Sequence, residues 1–288
     1  MKNNLPKKIA NRLISRFGLS LVNTNQYDLA IAKSESFEKL IKTTWVSDWT
    51  FIPLLNKLSD KEKQSIYPYI LLSKAQIAQD LFVVSQSSAS EFPRFFVEFG
   101  ATDGIKLSNT YILEKYLGWH GILAEPAKIW QSQLTRNRGC SIDFNCVTSS
   151  SGKLIEFLEA STDPNDEMAS AELSSISSFA ESEENQDQHT KRRLRNSKRY
   201  MVPTISLNDL LLKHSAPRDM GYLSIDTEGS ELSILETLDF NKYSFRIITV
   251  EHNYVDKNRK SIYSLLNNHG YKLVLEDVSL WDDWYVLT

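Results

Sequence analysis

Two carboxylates stand in a glycine turn that closes an apolar run: FVEFGATDG, Phe96 to Gly104, carries Glu98 and Asp103. A strand ending in glycine at the carboxyl edge of an α/β sheet is where such folds bind nucleotide-like ligands. The carboxylates narrow the ligand. A dinucleotide would bring an anionic pyrophosphate, which acidic side chains repel, and the third glycine of G-x-G-x-x-G is missing. S-adenosylmethionine brings no phosphate. Its sulfonium and α-ammonium groups are cationic, and an acidic turn attracts them. The expected contacts of this methyl donor are Glu98, the turn residues Gly100, Ala101, Thr102, Asp103 and Gly104, Asn109 just beyond and, from a later strand end, Asp226.

The adenosine half is provided for downstream. GILAEP, Gly121 to Pro126, reads as a short buried strand ending in Glu125. That position, about twenty residues past the turn, is where an acidic residue in a βαβ unit reaches ribose hydroxyls. SIDFNCV, Ser141 to Val147, reads as one further strand whose end places Asn145 and Cys146 near the adenine ring.

A second group of reactive residues lies at two later strand ends. Asp226 and Glu228 follow GYLSI and lead into a helix read as running through Leu238, while Glu251, His252 and Asn253 close RIITV. Methyl transfer is an in-line displacement, so the protein must align an acceptor oxygen and remove its proton. Asp226 or His252 as general base answers that need, and so does a divalent cation, magnesium or manganese, held by Asp226, Glu251, His252 and Asn253. Alternatively, Asp226 and Glu228 cap the helix that follows. In DQHTKRR, Asp187, His189 and Arg193 are spaced to bring an acid, a base and a cation to the mouth of the site, with His189 a third catalytic candidate.

These groups need a scaffold. With 288 residues, 41% hydrophobic, the chain can build one large α/β domain with an appendage. A net charge of −3 offers nucleic acid no general attraction. Cys140 and Cys146 fall on the run read as one strand, about 20 Å apart and too far to bridge. No run is long enough to span a membrane and no signal peptide is apparent, which points to a cytoplasmic protein. Residues 1–93 read as a helical extension. Its first segment sets Ile9, Leu13 and Phe17 against Lys7, Lys8, Arg12 and Arg16, suiting peripheral contact with an anionic membrane or packing on its own domain. In SKAQIAQDLFVV, Gln76, Gln79 and Asp80 are either helix surface or a cover for the cofactor. Residues 94–288 alternate strand and helix and finish in two adjacent strands, as expected of a mainly parallel seven-stranded sheet with helices on both faces and a last strand inserted antiparallel. The polar stretch 161–200 reads as a loop or lid. Six basic residues between Lys191 and Arg199 would suit an acidic glycan or a lipid headgroup.

The motifs SKAQIAQD, FVEFGATDG, SNTYILEK, GILAEP, SLNDLL, YLSIDTEGSELSIL and ITVEHN together resemble the FkbM family of class I S-adenosylmethionine-dependent methyltransferases, from Ser73 to the C-terminus. The D-x-E-G-x-E run, Asp226 to Glu231, is the most family-specific. The resemblance implies a Rossmann-like fold, cofactor contacts at Glu98, Gly100, Asp103 and Glu125, and O-methylation of a hydroxyl on a saccharide, glycolipid or secondary metabolite. The placement of the later strand ends is also similar to the metal site of catechol-type O-methyltransferases, with Glu-His-Asn in place of an Asp-Asn pair. Two other classes stand as alternatives: a non-catalytic, membrane-associated or interaction protein keeping the fold, and a nicotinamide oxidoreductase.

Overall fold

The computed structural model describes residues 51–160, 174–176 and 197–288. The N-terminal basic segment, Asp187, His189, Arg193 and most of the basic run lie outside the described residues.

Three short helices come first, α1 (Phe51–Lys57), α2 (Asp60–Ile66) and α3 (Gln79–Gln86). Ser59 starts α2 with a capping box, its hydroxyl and the Glu62 carboxylate satisfying each other's backbone amides. The alternation follows: β1 (Phe95–Phe99), α4 (Tyr111–Leu117), β2 (His120–Ala124), α5 (Lys128–Asn137) and β3 (Ser141–Asp143). Next come β4 (Cys146–Thr148), β5 (Leu154–Glu159), β6 (Ser175–Ile176) and β7 (Lys198–Ser206). The chain then runs through α6 (Leu207–Lys213), β8 (Asp219–Ile225), α7 (Glu231–Leu235), β9 (Ser244–Glu251), α8 (Asp256–Asn268), β10 (Tyr271–Val274) and β11 (Asp282–Leu287).

Seven strands form the large sheet, in the order β10-β11-β9-β8-β1-β2-β3. It is mixed: β9, β8, β1, β2 and β3 pair in parallel, while β11 runs antiparallel to both of its neighbours. Only a short connection links β10 to β11, and a short connection permits only an antiparallel return. Because successive strand residues face opposite ways, β1 divides its side chains between two cores. Val97 and Phe99 join Leu223, Ile225, Ile248 and Val250 under α6, α7 and α8. Phe96 joins Tyr222, Ile247 and Trp284 under α1 to α5. Leu54, Ile66 and Leu81 belong to this second core. The described part of the 1–93 segment therefore packs on one face of the sheet rather than standing apart.

Three readings are corrected. Ser141 to Val147 is two strands, since the chain turns at Phe144 and Asn145, where the Asn145 amide donates to Asp143 Oδ1 at 3.0 Å. β3 stays in the large sheet, and β4 enters a second one ordered β4-β7-β5-β6. The stretch 161–200 is not loop throughout, for Ser175–Ile176 is β6 and Lys198–Tyr200 opens β7. The helix read as running to Leu238 ends at Leu235. Trp130 of α5 and Ala127 just before that helix pack with Cys146, Phe157, Ile176 and Val202, fastening the small sheet to the large one.

Candidate active site

A cavity opens at the carboxyl ends of β1, β2 and β8, where the chain leaves the parallel ladder for the loops that follow. At its centre is Gly100, with φ +74°. A Cβ here would lie 2.3 Å from the Asp226 carbonyl oxygen, so the close approach of β1 and β8 requires glycine.

Of the expected cofactor contacts, Glu98, Gly100, Thr102, Asn109, Glu125, Cys146 and Asp226 line this cavity. Glu98 acts mainly on the turn itself. Its buried carboxylate accepts from the Ser108 hydroxyl at 3.0 Å, the Asn109 amide at 2.6 Å and the Thr110 hydroxyl at 2.5 Å. Arg138, buried beside it at 3.9 Å, also donates to the Gly104 carbonyl. Burial raises the Glu98 carboxyl in spite of these partners. Glu125 accepts from the Thr102 amide at 2.9 Å and the Ala127 amide at 2.8 Å, joining the glycine turn to the end of β2. Burial lifts it to about 7, with Asp226 and Glu159 adding to the rise against the two amides. Asn109 donates through Nδ2 to Ser224, while among the described residues its buried Oδ1 has no hydrogen-bond partner.

Four expected contacts do not line the cavity. Asp103 turns its carboxylate back onto the amides of Ile105 and Lys106, at 2.8 and 2.7 Å, closing the turn. Ala101 is buried in the α1–α5 core, Gly104 packs on Leu134 and Arg138, and Asn145 belongs to the β3–β4 turn. The helical polar residues divide as well. Gln76 and Gln79 line the cavity, but Asp80 caps its own segment, accepting from Ser73 and the amides of Lys74 and Leu81.

At the second pair of strand ends, Asp226, Glu228 and Glu251 bring a carboxylate oxygen each to within 4.8 Å of one another, and are the described residues that could hold a metal ion. Of the expected set, Asp226 and Glu251 stand in this group, His252 does not, and Asn253 lies beside it. His252 is 5% exposed, takes the Tyr254 amide on Nδ1 at 3.0 Å and has Nε2 3.6 Å from Asp283. Burial lowers its pKa, leaving a neutral ring that supports the loop. Asn253 donates to Glu228 at 3.4 Å. Three carboxylates this close need a cation or a proton between them. Burial, then the charges of Asp226 and Glu228, raise Glu251 well above the ordinary carboxylate range. Glu231 accepts from the Thr227 and Gly229 amides at 3.1 and 2.9 Å, closing the loop that leads into α7.

Asp282 was not legible from the sequence as a site residue. Antiparallel β11 begins where the parallel strands end, and the register sets Asp282 opposite Glu251. It lines the cavity and takes Gln79 Nε2 at 2.8 Å.

The Methyltransferase FkbM domain family matches residues 98–273, more than half of the chain. The chain belongs to that family. The FkbM match spans every strand end that lines the cavity except Asp282. Among solved structures, the chain is similar to Methyltransferase FkbM from Methylobacillus flagellatus KT, at 12% identity and a TM-score of 0.40, over 99% of this chain and 72% of that one. No curated protein matches. Among the described residues, no helix is long and apolar enough to cross a membrane.

Proposed function

We propose that this FkbM-family methyltransferase uses S-adenosylmethionine to methylate a hydroxyl of a saccharide, glycolipid or secondary metabolite, on a Rossmann-like class I scaffold. One observation carries the reading: the described lining of the cavity includes Glu98, Glu125, Asp226, Glu228 and Asp282, and no lysine, arginine or histidine. Such a lining suits a cationic cofactor and repels the pyrophosphate of a nicotinamide dinucleotide. The unpartnered Asn109 Oδ1 fits too, as a buried acceptor facing a ligand that carries an ammonium donor.

The cofactor supplies an activated methyl group. The chain's residues bind and orient. Glu125 is placed for the ribose hydroxyls, and Cys146, Val147, Phe157 and Ile176 offer the adenine an apolar slot. Asp226 sits at the other side of the glycine turn, next to Glu251. It can take the acceptor's proton as the oxygen attacks, provided that the acceptor hydroxyl lies within hydrogen-bonding reach of its carboxylate. A labelled methyl-transfer screen over cell-envelope glycans and nucleotide sugars tests the reading, with Asp226→Asn as control. Labelled product that fails to form with the variant, at unchanged cofactor affinity, supports it. Equal turnover by the variant removes Asp226 as base.

A further inference from the structure

A second, smaller recess adjoins the cofactor cavity, between the D-x-E-G-x-E loop after β8 and the E-H-N-Y loop after β9. Glu228, Gly229, Glu251, His252, Asn253 and Asn258 line it. Glu228 lines both spaces. Its carboxylate stands within 4.8 Å of that of Asp226, which lines the cavity, and that of Glu251, which lines the recess. The wall between the two spaces is this group of carboxylates.

The loops that form the recess are tied down. Asn253 Nδ2 donates to Glu228 at 3.4 Å, linking one loop to the other. The His252 and Asn253 amides both donate to the Trp281 carbonyl, at 2.9 and 3.2 Å. Glu228, Asn253 and Tyr254 hold φ at 57°, 45° and 59°, a conformation that is costly for residues with a side chain and gathers at ligand sites. This path leaves Tyr254 61% exposed beside the recess, its ring set edge-to-face on His252 with centroids 5.7 Å apart. Two buried atoms of the lining, Glu251 Oε2 and His252 Nε2, have no hydrogen-bond partner among the described residues. The Tyr254 amide occupies Nδ1, so Nε2 carries the ring proton. One of the two atoms is an acceptor and the other a donor.

This chemistry is selective. Among the described residues the recess has no lysine or arginine, and its glutamates repel a phosphate or a uronate. A hydroxyl both gives and takes hydrogen bonds, so it can use carboxylates and side-chain amides alike. An exposed aromatic ring beside such groups suits a ligand with an apolar face and a polar edge, as a sugar ring has.

We propose that the recess is the acceptor subsite and takes an uncharged sugar ring, its C–H face on Tyr254 and one hydroxyl turned toward Asp226 across the carboxylate wall. The inference rests on the methyltransferase reading above and narrows its acceptor to a neutral saccharide.

The test is saturation-transfer NMR on the full chain with S-adenosylhomocysteine bound, after calorimetry has measured that ligand alone. The probes are the methyl glycosides of glucose, galactose and mannose, with the methyl glycoside of glucuronate as the anionic control. At least one neutral glycoside should receive saturation, and the glucuronate should not. Tyr254→Ala should weaken that glycoside roughly tenfold, while Tyr254→Phe, which keeps the ring, should stay within about twofold of wild type. Affinity for S-adenosylhomocysteine should be that of wild type in both variants. Absence of binding by every neutral glycoside, glucuronate binding equal to the best of them, or equal affinity in wild type and Tyr254→Ala would overturn the subsite. The comparison of neutral and anionic probes is made on wild type, so it stands even if a variant does not fold. Failure of the wild type to bind S-adenosylhomocysteine would overturn the methyltransferase reading and the subsite with it, and the calorimetry shows that before any sugar is added.

Discussion

Ser175 donates its hydroxyl to the Glu228 carbonyl at 2.9 Å, so the two-residue strand β6 is fastened to the D-x-E-G-x-E loop. This bond joins the small sheet to the strand end that carries Asp226. Ser174 and Ile176, on either side of it, line the cavity. The small sheet is thereby a wall of the site.

Ser175→Ala should loosen that wall without unfolding the protein. A neutral hydrogen bond contributes about 0.5–1.5 kcal/mol, so affinity for S-adenosylhomocysteine should fall about two- to tenfold at unchanged circular dichroism. Unchanged affinity would make the bond incidental to the site.

Glu125→Ala should weaken binding of the same ligand at least about tenfold. Hydrogen bonds to a charged group contribute about 1.5–3 kcal/mol, and the Thr102 and Ala127 amides lose their acceptor as well. Glu125→Gln, which keeps an acceptor oxygen, should lose less. Titration calorimetry on both variants checks the order.

Arg138→Met should cost about 3–5 kcal/mol in urea unfolding, because it leaves a buried Glu98 without its counter-charge. Adding Glu98→Leu should return part of that loss. Arg138 also bonds Glu114 at 2.6 Å. Burial alone would raise the Glu114 carboxyl, but the Arg138 charge together with hydrogen bonds from the Gly139 amide, Arg138 and Lys115 outweighs it and holds the group at about 2. Its folded value lies below its ordinary 4.5, so the stability it contributes is present above pH 4.5 and lost as pH falls through 2. In Arg138→Met this acid-range loss should shrink, as an acid titration followed by tryptophan fluorescence would show.

The strand ends were legible because an apolar run closed by glycine or a carboxylate announces itself: Glu98, Gly100, Glu125, Asp226 and Glu251 all stand at or just past the ends expected for them. What was not legible depends on direction or on distant chain. Asp103 has the right type in the right turn, but its side chain is short enough to close the turn on itself. His252 follows Glu251 directly, and neighbours along an extended chain point opposite ways, so the pair could not both reach one ion. Phe144 and Asn145 include neither glycine nor proline, and nothing local announced the change of sheet between β3 and β4. Asp282 enters the site only because β11 runs antiparallel, which brings the start of a strand to the edge where the others end.

The central claim is that the acidic cavity holds S-adenosylmethionine and no dinucleotide. Isothermal titration of the full chain with S-adenosylhomocysteine and, separately, with NAD tests it most directly. The account predicts saturable one-to-one binding of S-adenosylhomocysteine and no heat of binding from NAD. Saturable binding of NAD, with none of S-adenosylhomocysteine, would contradict it.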